Sequence, residues 1–529
     1  MSDAADSEVV MLQQVEEEKA APKMLESFDP SNGKKLGEVR ISSAADVKTT
    51  VARARKAQVG WAAMGVDGRN RILDRLRGVL IDRALEIGRL VSSENGKPPS
   101  EPVGLTGPLC ETIKLHTRLA KRFESGVKVS PTFFVGSKAR VFYEPLGVAG
   151  FVLPWNFPFE LGVKHMIPAL AAGNAVVQKP SEANPLIGEM IADLFRDAGV
   201  PDGVVQMVHG YGETGAALID EVDVLCFVGS PRTGRRVMER AARTLTPVVL
   251  ELGGNDAAIV REDADLNFTA QGLVNGTCYN TGQVCNGVER IYVPPRLVEP
   301  LTKKIVAIVK KLRQGDPSGR GEYDLGPITW APQLEIYEEH TADALQKGAE
   351  LRHGGVVERK NGGLFWPPTV LTGMTHDMLM MQEETFGPFL PIMAVEGDEE
   401  AIRLANDSKY GLGASIWTRD EAAGEAMAKR IRAGSVMVNN AVQSGGCVTL
   451  PFGGEGESGV GRVQGEQAYY TYVATKSVMT CPKTVENLWM PYDARSETLA
   501  KGFTKIFSGR RVSERISGVV DVIRSWPRR

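Results

Sequence analysis

The feature that most constrains the fold is a run of short apolar strands alternating with amphipathic helices between residues 141 and 250. Val141 to Leu153 is apolar and interrupted by Pro145 and Gly147, which predicts strands joined by a turn. Ala175 to Gln178 is the next short strand. Asn184 then stands as an N-cap with Pro185 at the first helical position. Ile187, Ile191, Leu194 and Ala198 line one face, and Gly199 before Pro201 ends the helix. Val204–Val208 and Val222–Val228 follow as strands, the latter feeding Gly229 and a helix through Arg243, and Pro247–Leu250 is a further strand. Strands this short, apolar throughout and separated by helices, predict an α/β fold with a doubly wound parallel sheet, and such sheets bind ligands beyond the carboxyl ends of their strands. Three segments fall there: Gln178–Glu182, Gly229–Gly234 and Glu251–Gly254. A second α/β unit runs from about 254 to 450, with strands at Ser415–Thr418 and Ser435–Asn439. Upstream, Ser43–Asp46 resembles a capping box with Asp in the Glu/Gln place, and Val47, Val51, Ala54 and Trp61 follow at helical spacing. A second helix is expected over Arg71–Val91.

A chain of 529 residues exceeds one hydrophobic core, so two or three domains are expected. The 62 Lys and Arg against 65 Asp and Glu give a net charge of −3, and no aromatic-plus-basic cluster occurs, so the global field favours neither nucleic acid nor an anionic membrane. Cys110, Cys226, Cys278, Cys285, Cys447 and Cys481 show no framework spacing, which fits a reducing compartment and a cytoplasmic location. Neither Cys-x-x-Cys nor His-Glu-x-x-His occurs, so no metal site is expected. Nothing reaches the run of about 18 apolar residues a membrane span needs. Met1–Lys23 is acidic, with no apolar core of the signal-peptide kind, and residues 1–24 read as a disordered lead-in.

The chemistry concentrates on a thiol and a carboxylate. Cys285 ends Asn280-Thr-Gly-Gln-Val-Cys285 and lies 34 residues after Glu251, which opens Glu251-Leu-Gly-Gly254. A thiolate attacks a carbonyl and leaves a thiohemiacetal or thioester, and a carboxylate can activate water to clear the acyl group. The bland readings are a small buried hydrophobe and a solvated charge. Gly210-Tyr-Gly-Glu-Thr-Gly215 fits G-x-G-x-x-G, but the acidic residue expected about 20 positions on is absent, so a surface turn is preferred. Gly229-Ser230-Pro-Arg-Thr-Gly234 lies between a strand and a helix, where backbone amides and Ser230 can hold a pyrophosphate, or where Ser230 simply caps the helix. Lys179 and Glu182 end a strand, where the carboxylate can accept both hydroxyls of an adenosine ribose and repel a 2′-phosphate. Pro154-Trp-Asn-Phe-Pro158 makes a stiff turn whose Asn156 amide can donate to an oxyanion.

The segments Pro154–Pro158, Lys179–Glu182, Glu251–Gly254 and Gly282–Cys285, with Phe227-Val-Gly-Ser230, Glu383-Glu-Thr-Phe-Gly-Pro388 and Pro451-Phe-Gly-Gly454, occur in the order found in the aldehyde dehydrogenase superfamily, which the chain resembles over about residues 25–480. The resemblance implies Cys285 as nucleophile, Glu251 as general base, and the Asn156 amide with the Cys285 backbone N–H as oxyanion hole. It implies cofactor contacts from Trp155, Lys179, Glu182, Gly229, Ser230, Gly234, Leu252, Glu384 and Phe386, and substrate contacts from Phe157, Glu160, Lys164 and Phe452. Asn255 and Gly456 stand where the family often has Lys, and His165 replaces another frequent Lys. Glu160 and Lys164, one helical turn apart where relatives often place apolar residues, hint at a polar or charged aldehyde or form a plain i, i+4 pair.

The implied organisation is an NAD-binding domain from 25–125 and 146–253, a catalytic domain at 254–450, and a small β oligomerisation element from 126–145 and 465–482 that builds a homodimer or homotetramer. Residues 483–529 extend beyond the usual family terminus. From Asp493 onward they hold nine Lys/Arg and four Asp/Glu, a net of +5, interleaved with Phe503, Ile506, Phe507, Val512, Ile516, Val519, Val520 and Ile523. One or two amphipathic helices docked on protein are expected, with peripheral membrane contact as the sharper alternative. The expected reaction is oxidation of an aldehyde to an acid with NAD(P)+, NAD preferred and NADP admitted. Acyl transfer to CoA and a catalytically idle homologue are the competing readings.

Overall fold

The computed structural model describes residues 23–132, 134, 136–316, 323–483, 489–490, 492 and 494–526. The expected lead-in at 1–22 lies outside them, and Met24 already opens a strand, Met24–Phe28, paired antiparallel with Lys35–Arg40. The chain divides into two units, Met1–Leu119 with Pro145–Val473, and Ala120–Glu144 with Ala474–Arg529.

The first unit is mixed α/β and carries two largely parallel sheets. The six-stranded sheet runs in the order Gly459–Val460, Val248–Glu251, Val224–Val228, Val148–Val152, Ala175–Lys179, Val205–Met207, and all its pairings are parallel except the edge strand Gly459–Val460. The chain enters at Val148–Val152, moves outward twice on one side, then returns to build the other side. The strand order therefore reverses beside Val152, and Leu153–Asn156 leaves the sheet at that switch point, where doubly wound sheets place ligands. Helix Ala44–Ala63 covers this sheet; its Ser43–Asp46 capping box is formed, and Val47, Val51, Ala54 and Trp61 are buried. The seven-stranded sheet runs Glu350–His353, Thr369–Thr372, Phe389–Ala394, Val288–Val293, Asp256–Val260, Gly413–Trp417, Ser435–Val438, with the first strand alone antiparallel. Apolar clusters cover both its faces, one built around Tyr337, Trp366 and Phe389 and the other around Leu273, Ile305 and Trp417.

Three local readings need correction, and one, the strand pair in Val141–Leu153, holds with an added detail. The helix expected over Arg71–Val91 is two helices, Gly65–Asp82 and Ala84–Asn95, because Arg83 leaves helical geometry at φ −97°, ψ 8°. Asn184 precedes helix Pro185–Asp197 but its side chain does not cap it. It donates to the Glu94 carbonyl at 2.8 Å, while the buried Glu94 carboxylate accepts from Leu186 N and Ile187 N, each at 2.8 Å. The capping group thus comes from 90 residues upstream, beyond any local pattern. The two strands in Val141–Leu153 belong to different sheets, because Gly147, at φ +134°, turns the chain from Lys138–Pro145 into Val148–Val152. Gly210–Gly215 is more than a turn: helix Gly212–Glu221 starts inside it.

In the second unit, Val127–Val129, Lys138–Pro145 and Val473–Thr480 form a three-stranded sheet. Helices Ser496–Ser508 and Val512–Ser525 form a hairpin.

Candidate active site

The catalytic turn is built from backbone that few residues tolerate. Asn280, Thr281 and Gly282 have φ of +48°, +56° and +76°, three consecutive left-handed residues after helix Leu266–Cys278. Each non-glycine residue held there costs about 1–3 kcal/mol, so the surroundings must fix the turn. A side chain at Gly282 would collide with the Gly387 carbonyl, so glycine is required for that close approach. Asn280 Nδ2 donates to the carbonyls of Asn156 at 3.0 Å and Gln283 at 3.1 Å, and Gln283 Nε2 donates back to the Asn280 carbonyl at 3.1 Å. Asn280 N donates to Glu101 Oε1 at 3.3 Å, and Gly326 N donates to Thr281 Oγ1 at 3.0 Å. The turn delivers Cys285 just ahead of strand Val288–Val293 in the seven-stranded sheet.

Glu251 is the last residue of its strand in the six-stranded sheet, paired in register with Val228, so it meets Cys285 from the opposite sheet. Its carboxyl is buried and its Oε1 has no hydrogen-bond partner. Burial pushes its pKa up to about 8, against a hydrogen bond with the Cys285 thiol and the Lys164 charge, which lower it. The thiol pKa is raised well above its ordinary value, first by burial and then by the negative charge of Glu251.

Two cavities meet at this pair. The smaller, of about 220 Å³, is lined by Trp155, Asn156, Gly229, Ser230, Leu252, Glu384 and Phe386 together with Glu251 and Cys285. Trp155 and Phe386 meet edge to face at 5.6 Å, and Gly254 N donates to Glu384 Oε1 at 2.9 Å. Gly253 packs directly against the Glu384 carboxylate, which an added Cβ would displace. The larger cavity, of about 390 Å³, is lined by Phe157, Glu160, Lys164, His165 and Phe452, again with Glu251 and Cys285. Lys164 Nζ lies 3.3 Å from Glu160 Oε1 and donates to the Gly445 carbonyl at 2.5 Å. That pair is a buried i, i+4 ion pair in the cavity wall.

Three of the named cofactor residues line neither cavity. Lys179 Nζ donates to the Pro180 carbonyl at 2.8 Å and pairs with Glu182 at 3.3 Å. Gly234 packs on Leu252, where an added Cβ would lie 2.7 Å from Cδ2. Ser230 accepts from Thr233 N at 3.3 Å, so it caps helix Pro231–Ala241 while still lining the smaller cavity. Asn156 Nδ2 donates to the Gln283 carbonyl at 3.1 Å; an amide carries two N–H groups, so a second donor remains for the thiol's reaction partner.

Sequence reasoning missed several supporting groups. Lys97 donates to the Asn156 carbonyl at 2.8 Å and lies 3.8 Å from the Phe157 ring centre. Glu289 accepts from Thr385 N at 2.8 Å and Phe386 N at 2.6 Å, fixing the left-handed Phe386. Asn255 Nδ2 donates to the Met380 carbonyl at 3.2 Å and the Glu383 carbonyl at 2.5 Å, holding the same loop. A charge pair inside an apolar strand, Glu289-Arg290 within Val288–Val293, was the available signal for Glu289. His165 is buried, its Nδ1 sits 2.9 Å from the Leu161 carbonyl, and burial lowers its pKa to about 4. It therefore stays neutral at ordinary pH. Gly456, at φ +60°, occupies left-handed backbone that a lysine would strain.

Known proteins resemble this chain in sequence and fold. The description "Aldehyde dehydrogenase family" matches residues 16–478. A 4,4'-diapolycopene aldehyde oxidase of Methylomonas sp is 37% identical over 497 residues, covering 91% of each chain. A putative succinate-semialdehyde dehydrogenase [NADP(+)] of Mycobacterium ulcerans is 35% identical, covering 85% of this chain and 87% of the relative. The crystal structure of lactaldehyde dehydrogenase from Escherichia coli superposes with a TM-score of 0.83 at 32% identity, covering 87% of this chain and 96% of that one. The NAD+ complex of aldehyde dehydrogenase from Bacillus cereus gives 0.83 at 31%, covering 87% and 94%. With a thiol and a carboxylate set between two cavities and this likeness along most of its length, the chain belongs to the aldehyde dehydrogenase family.

Proposed function

We propose that the protein oxidises a polar aldehyde to its acid with Cys285 as nucleophile, Glu251 as general base and NAD the preferred cofactor. The observation that carries the assignment is that Cys285 and Glu251 line both cavities, so an aldehyde in one and a nicotinamide in the other would share one reacting centre. The smaller cavity suits the cofactor: an aromatic pair, a glycine approach at Gly229 and a helix N-terminus at Ser230 border it, and NAD(P)+ when bound there supplies the hydride acceptor.

In its ionised form Glu251 can take the Cys285 proton as sulfur attacks, and it must pass that proton to solvent before it serves hydrolysis. Asn156 Nδ2 and the Cys285 backbone N–H stabilise the oxygen that becomes negative. After oxidation the acyl group is a thioester on Cys285, and Glu251 takes a proton from the water that hydrolyses it. A thiol acceptor such as CoA needs no such base. The ion pair Lys179–Glu182 at a strand end supports ribose recognition and NAD over NADP, although relatives of either preference exist. Glu160 and Lys164, less than a tenth exposed, place a donor and an acceptor in the larger cavity at a desolvation cost, which supports a hydroxylated or otherwise polar aldehyde. The three-stranded sheet of the second unit, with exposed residues along Val473–Thr480, is the element we assign to homodimer or homotetramer formation, and residues 25–125 with 146–253 and 254–450 are the cofactor and catalytic domains. A cytoplasmic site of action completes the proposal.

The deciding experiment is a spectrophotometric screen of short, long, aromatic, hydroxylated and carboxylated aldehydes with NAD+ and NADP+. Highest kcat/KM for hydroxylated or charged aldehydes with NAD+ is expected. A preference for alkyl chains, unchanged by Lys164→Met, would remove the substrate assignment while leaving the chemistry of Cys285 intact.

A further inference from the structure

The C-terminal hairpin leaves an apolar stripe uncovered. Helices Ser496–Ser508 and Val512–Ser525 meet at Gly502 and Gly518, where a Cβ on either glycine would come within 2.9 Å of the other's carbonyl oxygen. Lys505 Nζ bonds Asp521 Oδ2 at 2.7 Å across the same seam, and Leu499, Gly502, Gly518 and Ser525 are buried. Apart from Val522, which meets Gly502 at the seam, the apolar residues of the second helix are elsewhere. Val512, Ile516, Val519, Val520 and Ile523 fall at i, i+4, i+7, i+8 and i+11, one face at 3.6 residues per turn. They are 75%, 60%, 44%, 38% and 67% exposed.

The charges are arranged around that stripe. On the same helical spacing Arg515 and Arg524 lie about 90° to either side of it, and Glu514 and Asp521 lie opposite. Both acids are also engaged: Glu514 accepts from Arg510 N at 2.8 Å, and Asp521 holds Lys505. Residues 493–529 carry +5 while the whole chain carries −3, so the remainder carries −8. A protein or a second copy of this net-negative chain could cover an apolar stripe. A rim of arginines with acids turned away is the pattern of a helix lying in a negatively charged lipid interface. Fourteen residues reach too short a distance to span a bilayer, and among the described residues no helix is long and apolar enough to cross one.

We propose that helix Val512–Ser525 lies in the headgroup boundary of anionic phospholipid, with its apolar stripe inserted and Arg515 and Arg524 at the phosphate level, so that the enzyme works as a peripheral membrane protein. The surface belongs to neither of the cavities at Cys285.

The test is flotation of the full-length protein with phosphatidylcholine vesicles and with vesicles containing phosphatidylglycerol. The wild type is expected to float with the anionic vesicles, about tenfold more than with neutral ones, and to be released by salt. Ile516→Asp with Ile523→Asp should lose flotation by about tenfold or more while keeping aldehyde oxidation and the elution volume of the wild type. The proposal is overturned if the wild type stays with the soluble fraction at low salt. It is equally overturned if the double variant still floats, or if that variant instead changes oligomeric state, which would assign the stripe to a second copy. Val512→Asp alone, at the exposed start of the helix, repeats the measurement should the double variant misfold.

Discussion

At Cys285 and Glu251 the two reacting side chains are held in their protonated forms by burial, and each waits on the other. The Glu251 carboxyl, with a pKa near 8, becomes a base only as pH rises through that value, so the rate of acyl-enzyme hydrolysis should climb between pH 7 and 9 and level off above. A pH profile of steady-state kcat that is flat from 6 to 9 would contradict the base assignment. Lys164 adds a positive charge that favours the ionised carboxylate, so Lys164→Met should move the profile to higher pH. Asn156 offers the developing oxyanion a donor already anchored by Gln283 and Lys97. Asn156→Ala should reduce kcat by about 10²-fold, the usual loss for one such donor, while leaving the melting temperature within a few degrees.

At the scale of the element, the turn Asn280–Gly282 stores strain that the Asn156, Gln283 and Glu101 hydrogen bonds hold in place. Gly282→Ala adds a Cβ against the Gly387 carbonyl on left-handed backbone, so it should destabilise the fold by about 3 kcal/mol or more and displace the thiol, read as a loss of both melting temperature and NADH production. The glycine beside the cysteine was legible in the sequence, as were the strand ends at Glu251 and Gly229, because each is a local pattern of apolar run, glycine and polar residue. What holds them was not. Glu101 and Lys97 reach the site from about 180 residues upstream of Cys285, on or next to helix Ser100–Phe123, and Glu94 caps a helix 90 residues away. No periodicity within one segment reports such a partner. Asn184 shows the converse, since its sequence position is that of a cap while its side chain is committed to Glu94.

Across the whole molecule, the interior carries an unusual load of buried acid. Glu94, Glu251 and Asp256 are raised by burial to about 7, 8 and 7, and burial also raises Glu289 and Glu384. In the unfolded chain these groups ionise near 4, so between about pH 4 and 8 the folded state binds more protons and stability falls as pH rises. His116 and His165, lowered by burial to about 3 and 4, act in the opposite sense, but their contribution is complete above pH 6.5. The melting temperature should therefore decline from pH 6.5 to 8.5, measured without cofactor by calorimetry; a rise over that range would show that the buried carboxyls are not protonated. The doubly wound architecture that brings these groups together followed from the alternation of strand and helix, because each buried parallel strand must be apolar on both faces. Which sheet received Lys138–Pro145 depended on Gly147 turning the chain, and the exposure of Val512, Ile516 and Ile523 depended on Gly502 and Gly518 letting two helices close without them.

The central claim is that an acyl group resides on Cys285 until Glu251 helps water remove it. Intact-protein and peptide mass spectrometry of Glu251→Gln after mixing with aldehyde and NAD+ tests it directly. One equivalent of NADH with the acyl mass on the peptide bearing Cys285 is predicted. Full turnover, or NADH formation with Cys285 unmodified and the acyl mass absent or on another residue, would contradict it.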